Sequence, residues 1–274
     1  MLKKLLRYDF ASVMKVWGVG AIASVLLALV GAFAARILDA ERELPVVVTV
    51  FAGFAMFFVI LGFAAFSILT TVAVFNRFYK NFFTDEGYLT FTLPVKRAQL
   101  LNSKLISATS FLAMTVLVLF LDLVLFILAG FAPGWEEIAE LFRDIFQWLA
   151  EHMDVYFVIY LVEGIALVLL STVFSVLFLF VCITVACMIA KKAKVITAVA
   201  IYYVTNGIVS YAVQLLVIFG LPGLVDRILL LAESSNINPI LSLTFFGLTL
   251  FVAIFCALLY LLQYWLLDRK LNLA

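Results

Sequence analysis

Two acidic residues inside long apolar stretches are the side chains of this 274-residue sequence best placed to do chemistry. At the helical rise per residue, Asp122 and Glu163 each lie about 12–14 Å from the predicted outer end of their apolar stretch. A carboxylate in lipid is costly, so it marks a functional site by default and needs a partner. That partner could be the other acid through a shared proton, Arg143 or Arg227, or water in a lateral cavity. Alternatively, each acid is a protonated carboxyl hydrogen-bonded to a neighbouring helix.

Two amide side chains in a later apolar stretch, Asn206 and Gln214, present a similar choice. Polar groups within apolar helices either line a transport path or form hydrogen bonds between helices. For these two amides the sequence favours the second role, although a place on a polar path stays open.

Several common chemistries lack the residues they need. The three cysteines, Cys182, Cys187 and Cys256, show no CxxC spacing, which argues against a disulfide framework or a zinc site. His152 is the only histidine, and neither an HExxH motif nor a G-x-x-x-x-G-K-[ST] phosphate loop occurs. We therefore expect a protein that is not an enzyme and holds neither a metal nor ATP itself.

The composition predicts that these residues are carried by membrane-spanning helices. Hydrophobic residues make up 67% of the chain, charged residues 13%, and the mean hydropathy is +1.23. A net charge of +1 gives no basic excess that would indicate nucleic acid. A helical crossing needs about 20 mostly apolar residues. Six runs are long enough: 17–37, 46–75, 105–131, 155–190, 195–219 and 240–267.

The fold class expected is therefore an all-α polytopic membrane protein with residues 1–274 as a single domain. Most Lys and Arg residues fall in the segments that would be inside if the N-terminus is inside. This bias predicts that both termini are cytoplasmic.

Three segments outside the runs are predicted to lie at the membrane surface. Residues 1–16 have apolar and basic faces, typical of an interfacial helix, although they could simply flank the first span. Residues 132–154 combine an apolar stripe with an acidic face, which predicts an outer amphipathic helix. Residues 220–239 begin with a break at Pro222 and are too short to cross, which favours a re-entrant or interfacial segment.

The loop at 76–104 is unusually aromatic for a cytoplasmic connection, with Phe78, Tyr79, Phe82, Phe83, Tyr88 and Phe91. Aromatic side chains beside charges favour packing against a membrane surface or a protein partner. Pro94 fixes a break, after which residues 95–104 are predicted to form a short separate helix.

This loop resembles that of the permease subunits of ABC-2 type transporters, which carry a pattern E-x-G, then L-x-x-P-V-x-R, and a later lysine. The chain supplies the pattern's residue types in the same order, although the glutamate and glycine are adjacent and the leucine directly precedes the proline: Glu86, Gly87, Leu93, Pro94, Val95, Arg97 and Lys104. The neighbouring FYKN, DEGYL and FTLP stretches resemble permeases of Gram-positive gut bacteria in particular. Tyr88 stands where the family usually has threonine.

The resemblance implies that residues 95–104 are a coupling helix that docks on a cytoplasmic ABC ATPase dimer. Its contacts would come from the motif residues together with Leu100 and Leu101, and the ATPase would bind ATP and Mg²⁺. The expected function is ATP-driven export of a peptide or a hydrophobic, lipid-like substrate. Alternatives are an immunity protein that sequesters a toxic peptide and, with less support, an intramembrane enzyme.

A stripe of small residues along the first span bears on assembly. It consists of Gly20, Ser24, Ala28 and Ala32. Small residues at every fourth position let two helix backbones approach closely. The resemblance implies that this face contributes to an interface with a second permease chain, identical or related; packing within one chain is the alternative.

Overall fold

The computed structural model describes residues 2–39, 45–84, 86–87, 95–131, 134–190, 193–234 and 237–269. These residues form seven long helices and no strand: α1 Leu2–Asp39, α2 Val46–Phe83, α3 Arg97–Phe131, α4 Trp135–His152, α5 Val155–Ile189, α6 Lys194–Ser234 and α7 Ile237–Arg269. Within α1, α2, α3, α5, α6 and α7 lie six segments long and apolar enough to cross a membrane. The expected all-helical, multi-pass fold is thereby confirmed.

Long apolar runs form helices in lipid because a helix satisfies its backbone hydrogen bonds within the segment. The six long helices contain 33 to 41 residues, more than the roughly 20 that a crossing needs. Each is therefore long enough to extend beyond the hydrocarbon layer.

The chain divides into two compact units. Unit 1 comprises Met1–Phe78 and Asn102–His152, and unit 2 comprises Tyr79–Leu101 and Met153–Ala274. Unit 1 contains α1, most of α2 and α3, and α4. Unit 2 contains Tyr79–Leu101, which we name the inner hairpin after its predicted place in the cytoplasmic loop, together with α5, α6 and α7. Below, the inner end of unit 1 is the end that contains the N-terminus of α1.

Three boundaries differ from the sequence predictions. The helix expected at residues 1–16 is not separate from the first span, because α1 is one helix from Leu2 to Asp39 that buries Val13 and Trp17. The short helix expected at 95–104 is also wrong as a separate element, because α3 begins at Arg97 and continues to Phe131. The break expected at Pro222 is absent, because α6 runs on through residues 220–234.

Helix α4 is amphipathic and exposed along its length. It holds Glu136 and Glu137 in its first turn, where acidic side chains favour a helix N-terminus. Its larger apolar side chains are about half exposed: Leu141, Phe142, Ile145, Phe146 and Trp148. Only three residues separate it from the end of α3 and two from the start of α5.

Candidate functional site

A group of charged side chains joins the three long helices of unit 1 at its inner end. Asp9 on α1 is 1% exposed and accepts hydrogen bonds from Arg77 Nε on α2 at 3.2 Å and from Ser103 Oγ on α3 at 3.3 Å. The Nζ atom of Lys104, also buried, forms an ion pair with the same carboxylate. We call these four residues the Asp9 cluster. Because a buried charge is tolerated only when it is paired, the cluster fixes the three helix ends together.

A neutral hydrogen-bond chain forms the next layer of unit 1. The indole Nε1 of Trp17 donates to Thr115 Oγ1 at 2.8 Å, and the Thr115 and Thr70 hydroxyls lie 3.1 Å apart. Thr70 and Thr115 also donate to backbone carbonyls within their own helices. The three side chains are buried, so each polar group is satisfied by another helix or by its own backbone.

Asp122 lies further along α3 and is 2% exposed. Its carboxyl group interacts with the hydroxyl of Ser24 on α1, while Oδ2 has no hydrogen-bond partner within the described part of the chain. One of the two membrane acids is therefore packed between helices of unit 1.

The stripe of small residues packs inside unit 1. Ser24, Ala28 and Ala32 are at most 2% exposed. A Cβ added to Gly20 would lie 2.8 Å from the ring of Phe66 on α2, and one added to Gly130 on α3 would lie 3.4 Å from Cα of Ala32. Packing within one chain, the alternative left open for this face, is therefore what the structure shows, because α2 and α3 cover it.

Glu163 on α5 has a different setting in unit 2. Its Oε1 accepts a hydrogen bond from the Ser242 hydroxyl on α7 at 3.0 Å, and its side chain is half-buried. Nearby, Tyr160 donates from its hydroxyl to the Asn238 carbonyl at 2.9 Å, and its ring lies 6.3 Å from that of Phe245. The second carboxylate oxygen, Oε2, finds no partner among the described residues.

The two membrane acids thus each have a serine partner within their own unit. No ion pair involves either of them among the residues whose side chains the structure describes, and Arg227 falls outside that set. Of the partners that the sequence left open, a hydrogen bond to a neighbouring helix is observed for Glu163, whereas the Ser24 hydroxyl beside Asp122 donates to the Ala21 carbonyl of its own helix.

The two amides of α6 are on its surface. Asn206 and Gln214 are both exposed, so the expected role in holding helices together is not seen in unit 2. That role belongs to Gln263 on α7, which is fully buried and donates from Nε2 to Thr184 Oγ1 on α5 at 2.8 Å.

The inner hairpin contains all of the motif residues except Lys104. Gly87 is buried, and its N–H donates to the Thr84 carbonyl at 2.7 Å. An added Cβ at Gly87 would lie 2.9 Å from the Phe82 carbonyl oxygen, so the close backbone approach itself requires glycine. Glu86 is exposed, and Leu93 and Pro94 fall outside the described residues.

The start of α3 is only partly available to another protein. Leu100 and Leu101 are 2% and 0% exposed, so the prediction that they form a docking face is wrong for this structure. Val95 is half-buried, while Lys96 and Arg97 are exposed. Lys104, expected on the same docking helix, is instead buried in the Asp9 cluster.

Arg97 contacts the end of α7 within unit 2. Its Nη1 donates to the carbonyls of Leu267 and Asp268 at 3.2 and 2.7 Å, and to Asp268 Oδ1 at 2.9 Å. A cation favours the C-terminus of a helix because the last carbonyls lack partners there. The motif arginine therefore attaches the hairpin to the last span.

Four residues that connect helices were not predicted from the sequence: Asp9, Arg77, Thr115 and Gln263. Asp9 carried a usable signal, because it is the only acid in the first 38 residues and is four residues before the buried Val13. The other three had none, since a single polar residue in an apolar helix does not reveal which helix it meets.

The polar residues described here form hydrogen bonds and ion pairs between helices. Within the described ranges, no three His, Cys, Asp or Glu side chains are grouped so that they could hold a metal ion. The cysteines Cys182, Cys187 and Cys256 are free. Comparison with protein-family models, with curated proteins and with solved structures finds no match to this chain.

Proposed function

We propose that this chain is the permease subunit of an ATP-driven transporter of the ABC-2 type, with its ATPase on a separate cytoplasmic chain. Support comes from the motif residues in 86–104, from six helices able to span a membrane, and from a sequence that lacks a phosphate loop. The observation that carries the proposal is the continuity of the inner hairpin with the spans, since α3 starts at Arg97 and extends unbroken to Phe131.

This continuity provides a mechanical path from a motor into the membrane. At 1.5 Å per residue, the 35 residues of α3 extend about 52 Å as one rigid helix. A force on its first turn acts on the whole helix, with no flexible joint between hairpin and span. The contact of Arg97 with Asp268 extends the same force to the end of α7.

The docking surface in this proposal is polar. Because Leu100 and Leu101 are buried, the ATPase would contact the exposed side chains of Glu86, Lys96 and Arg97. Charged contacts of this kind suit a partner that binds and rearranges with each nucleotide cycle.

The transported molecule would be a peptide or a lipid-like compound, moved outward between two permease chains at the bacterial plasma membrane with both termini cytoplasmic. Glu163 is the better of the two acids for such a path because it is half-exposed, whereas Asp122 is enclosed. A twelve-helix pathway needs a second permease chain, whose contact surface must differ from the buried small-residue stripe.

The test is purification of the tagged full chain from its own membranes, with measurement of ATP hydrolysis and identification of stoichiometric partners. We expect a P-loop ATPase, and we expect Lys96→Glu to reduce its recovery and the associated ATP hydrolysis at least tenfold. The matched control is Arg143→Glu, which makes the same charge change at an exposed position on α4.

The two variants separate docking from a general effect of added negative charge. Recovery of the ATPase should be unchanged in Arg143→Glu. The transporter assignment is abandoned if the wild-type chain yields no ATPase and no ATP hydrolysis. Equal recovery with Lys96→Glu and the wild type would leave a transporter but remove the hairpin as its docking site.

A further inference from the structure

The Asp9 cluster contains a guanidinium group whose donors are only partly used. Arg77 donates from Nε to Asp9, and its side chain is 26% exposed. A guanidinium carries five N–H donors in a fixed plane. Within the described part of the chain, no acceptor is found for the terminal nitrogens of Arg77.

Asp9 holds the Arg77 guanidinium in one orientation from its buried side. Asp9 is almost fully buried and is itself held by Ser103 and Lys104, so its carboxylate has little freedom to move. Arg77 is therefore fixed along its Nε edge, and its terminal nitrogens are left for an acceptor on the exposed side. A guanidinium held in this way matches two oxygens of one phosphate group without losing much side-chain freedom.

The position along the helices indicates which anion this group meets. Arg77 follows the apolar run 46–75 by two residues, and Lys104 immediately precedes the run 105–131. The Asp9 cluster thus lies where the hydrocarbon layer gives way to the headgroup layer. Basic sites between spanning helices at this level recognise the phosphate of anionic lipids.

We propose that Arg77, held in place by Asp9, binds the phosphate of an anionic phospholipid headgroup. The lipid completes the hydrogen bonding of the guanidinium and joins the inner ends of α1, α2 and α3. This site does not depend on the proposed transport function, because it needs neither a motor nor a substrate.

The experiment compares the full chain in nanodiscs of phosphatidylcholine with and without phosphatidylglycerol. Thermal unfolding gives the stability, and native mass spectrometry counts the phosphatidylglycerol molecules that remain bound. We expect one retained molecule per chain and a midpoint raised by about 2–4 °C, the shift typical of one moderate interaction in a domain of this size. Arg77→Gln should remove both effects.

Lys80→Gln is the matched control, because Lys80 is an exposed cation three residues further along α2. It should keep the bound lipid and the shift. Loss of both effects in Lys80→Gln would indicate a general basic surface and overturn the proposal. Arg77→Lys decides the matter if Arg77→Gln does not fold, since it retains the charge next to Asp9 but not the two-oxygen geometry. An undiminished shift in Arg77→Lys contradicts the proposal.

A further sample separates a lipid from a free anion. Inorganic phosphate is added to the wild-type chain in phosphatidylcholine alone, where no anionic lipid is present. No stabilisation is expected, because the headgroup phosphate is held at the site by its acyl chains. A shift equal to that of phosphatidylglycerol would identify free phosphate as the ligand and overturn the assignment to lipid.

Discussion

Unit 1 and unit 2 hold their long helices together with different polar chemistry. The inner end of unit 1 contains a buried carboxylate that is shared by Arg77 and Lys104. In unit 2 the deeply buried connection is neutral, between Gln263 and Thr184, and the charged pair of Arg97 and Asp268 is nearly half exposed. Removing one partner of a buried ion pair greatly lowers the free energy of unfolding, whereas removing one partner of a neutral or exposed pair lowers it less. The comparison teaches that the energetic cost of a substitution depends on burial and charge together.

The largest effect should follow removal of the shared carboxylate. Asp9→Ala removes the buried carboxylate that Arg77 and Lys104 share, so we expect a loss of about 3–5 kcal/mol in the free energy of unfolding. Denaturant unfolding in mild detergent measures it. A loss below about 1 kcal/mol would show that water reaches the Asp9 cluster and that the contrast between the units is wrong.

Removing a neutral hydrogen bond between helices should lower the free energy of unfolding by the same amount in both units. Thr115→Val deprives the Trp17 indole of its acceptor, and Thr184→Val does the same to Gln263 Nε2. We expect each variant to lose about 1–3 kcal/mol, the penalty for one unsatisfied buried group. The same unfolding assay compares them, and a clear inequality would mean that the units differ in more than their ions.

The two membrane acids should separate into a structural and a functional residue. Glu163→Gln is expected to lower transport or substrate-stimulated ATP hydrolysis about tenfold, equivalent to 1.4 kcal/mol, with little change in unfolding. Asp122→Asn should instead act mainly on the unfolding midpoint, because its side chain is enclosed. The reverse pattern would show that exposure does not distinguish the acids.

The smallest effect is expected at the exposed pair. Asp268→Asn keeps the two carbonyl acceptors of Arg97 and removes only the carboxylate, so we expect a change of about 0.2–1 kcal/mol. The effect should shrink further in high salt, since exposed charges are screened. A loss of unfolding free energy as large as that of Asp9→Ala would show that burial does not explain the difference between the two ion pairs.

Particular residues show how much of the fold could be predicted from the sequence. The six runs predicted as spans correspond to six helices, but in α1 only residues 17–37 were predicted to be a span. The basic face of residues 1–16 resembles that of a surface helix, and only Asp9 indicated that one side of this segment is buried. At Pro222 the local rule predicted a break, whereas the backbone remains helical there.

The candidate site was less accessible to sequence reasoning. Asp122 and Glu163 stood out because acids are rare in apolar runs, yet their serine partners could not be identified. The loop motif drew attention to Arg97, but its contact is with Asp268, 171 residues away. Leu100 and Leu101 looked like an exposed apolar face because nothing local shows which side of a helix meets its neighbours.

The sequence by itself determined the helical class and the positions of the spans, because lipid leaves each apolar segment to satisfy its own backbone and an apolar run records this locally. Only the tertiary structure decided which polar groups meet. Asp9 contacts Arg77 and Lys104 across 68 and 95 residues of chain, and the small-residue stripe is covered by α2 and α3. Such contacts depend on how whole helices pack, a property that no single segment contains.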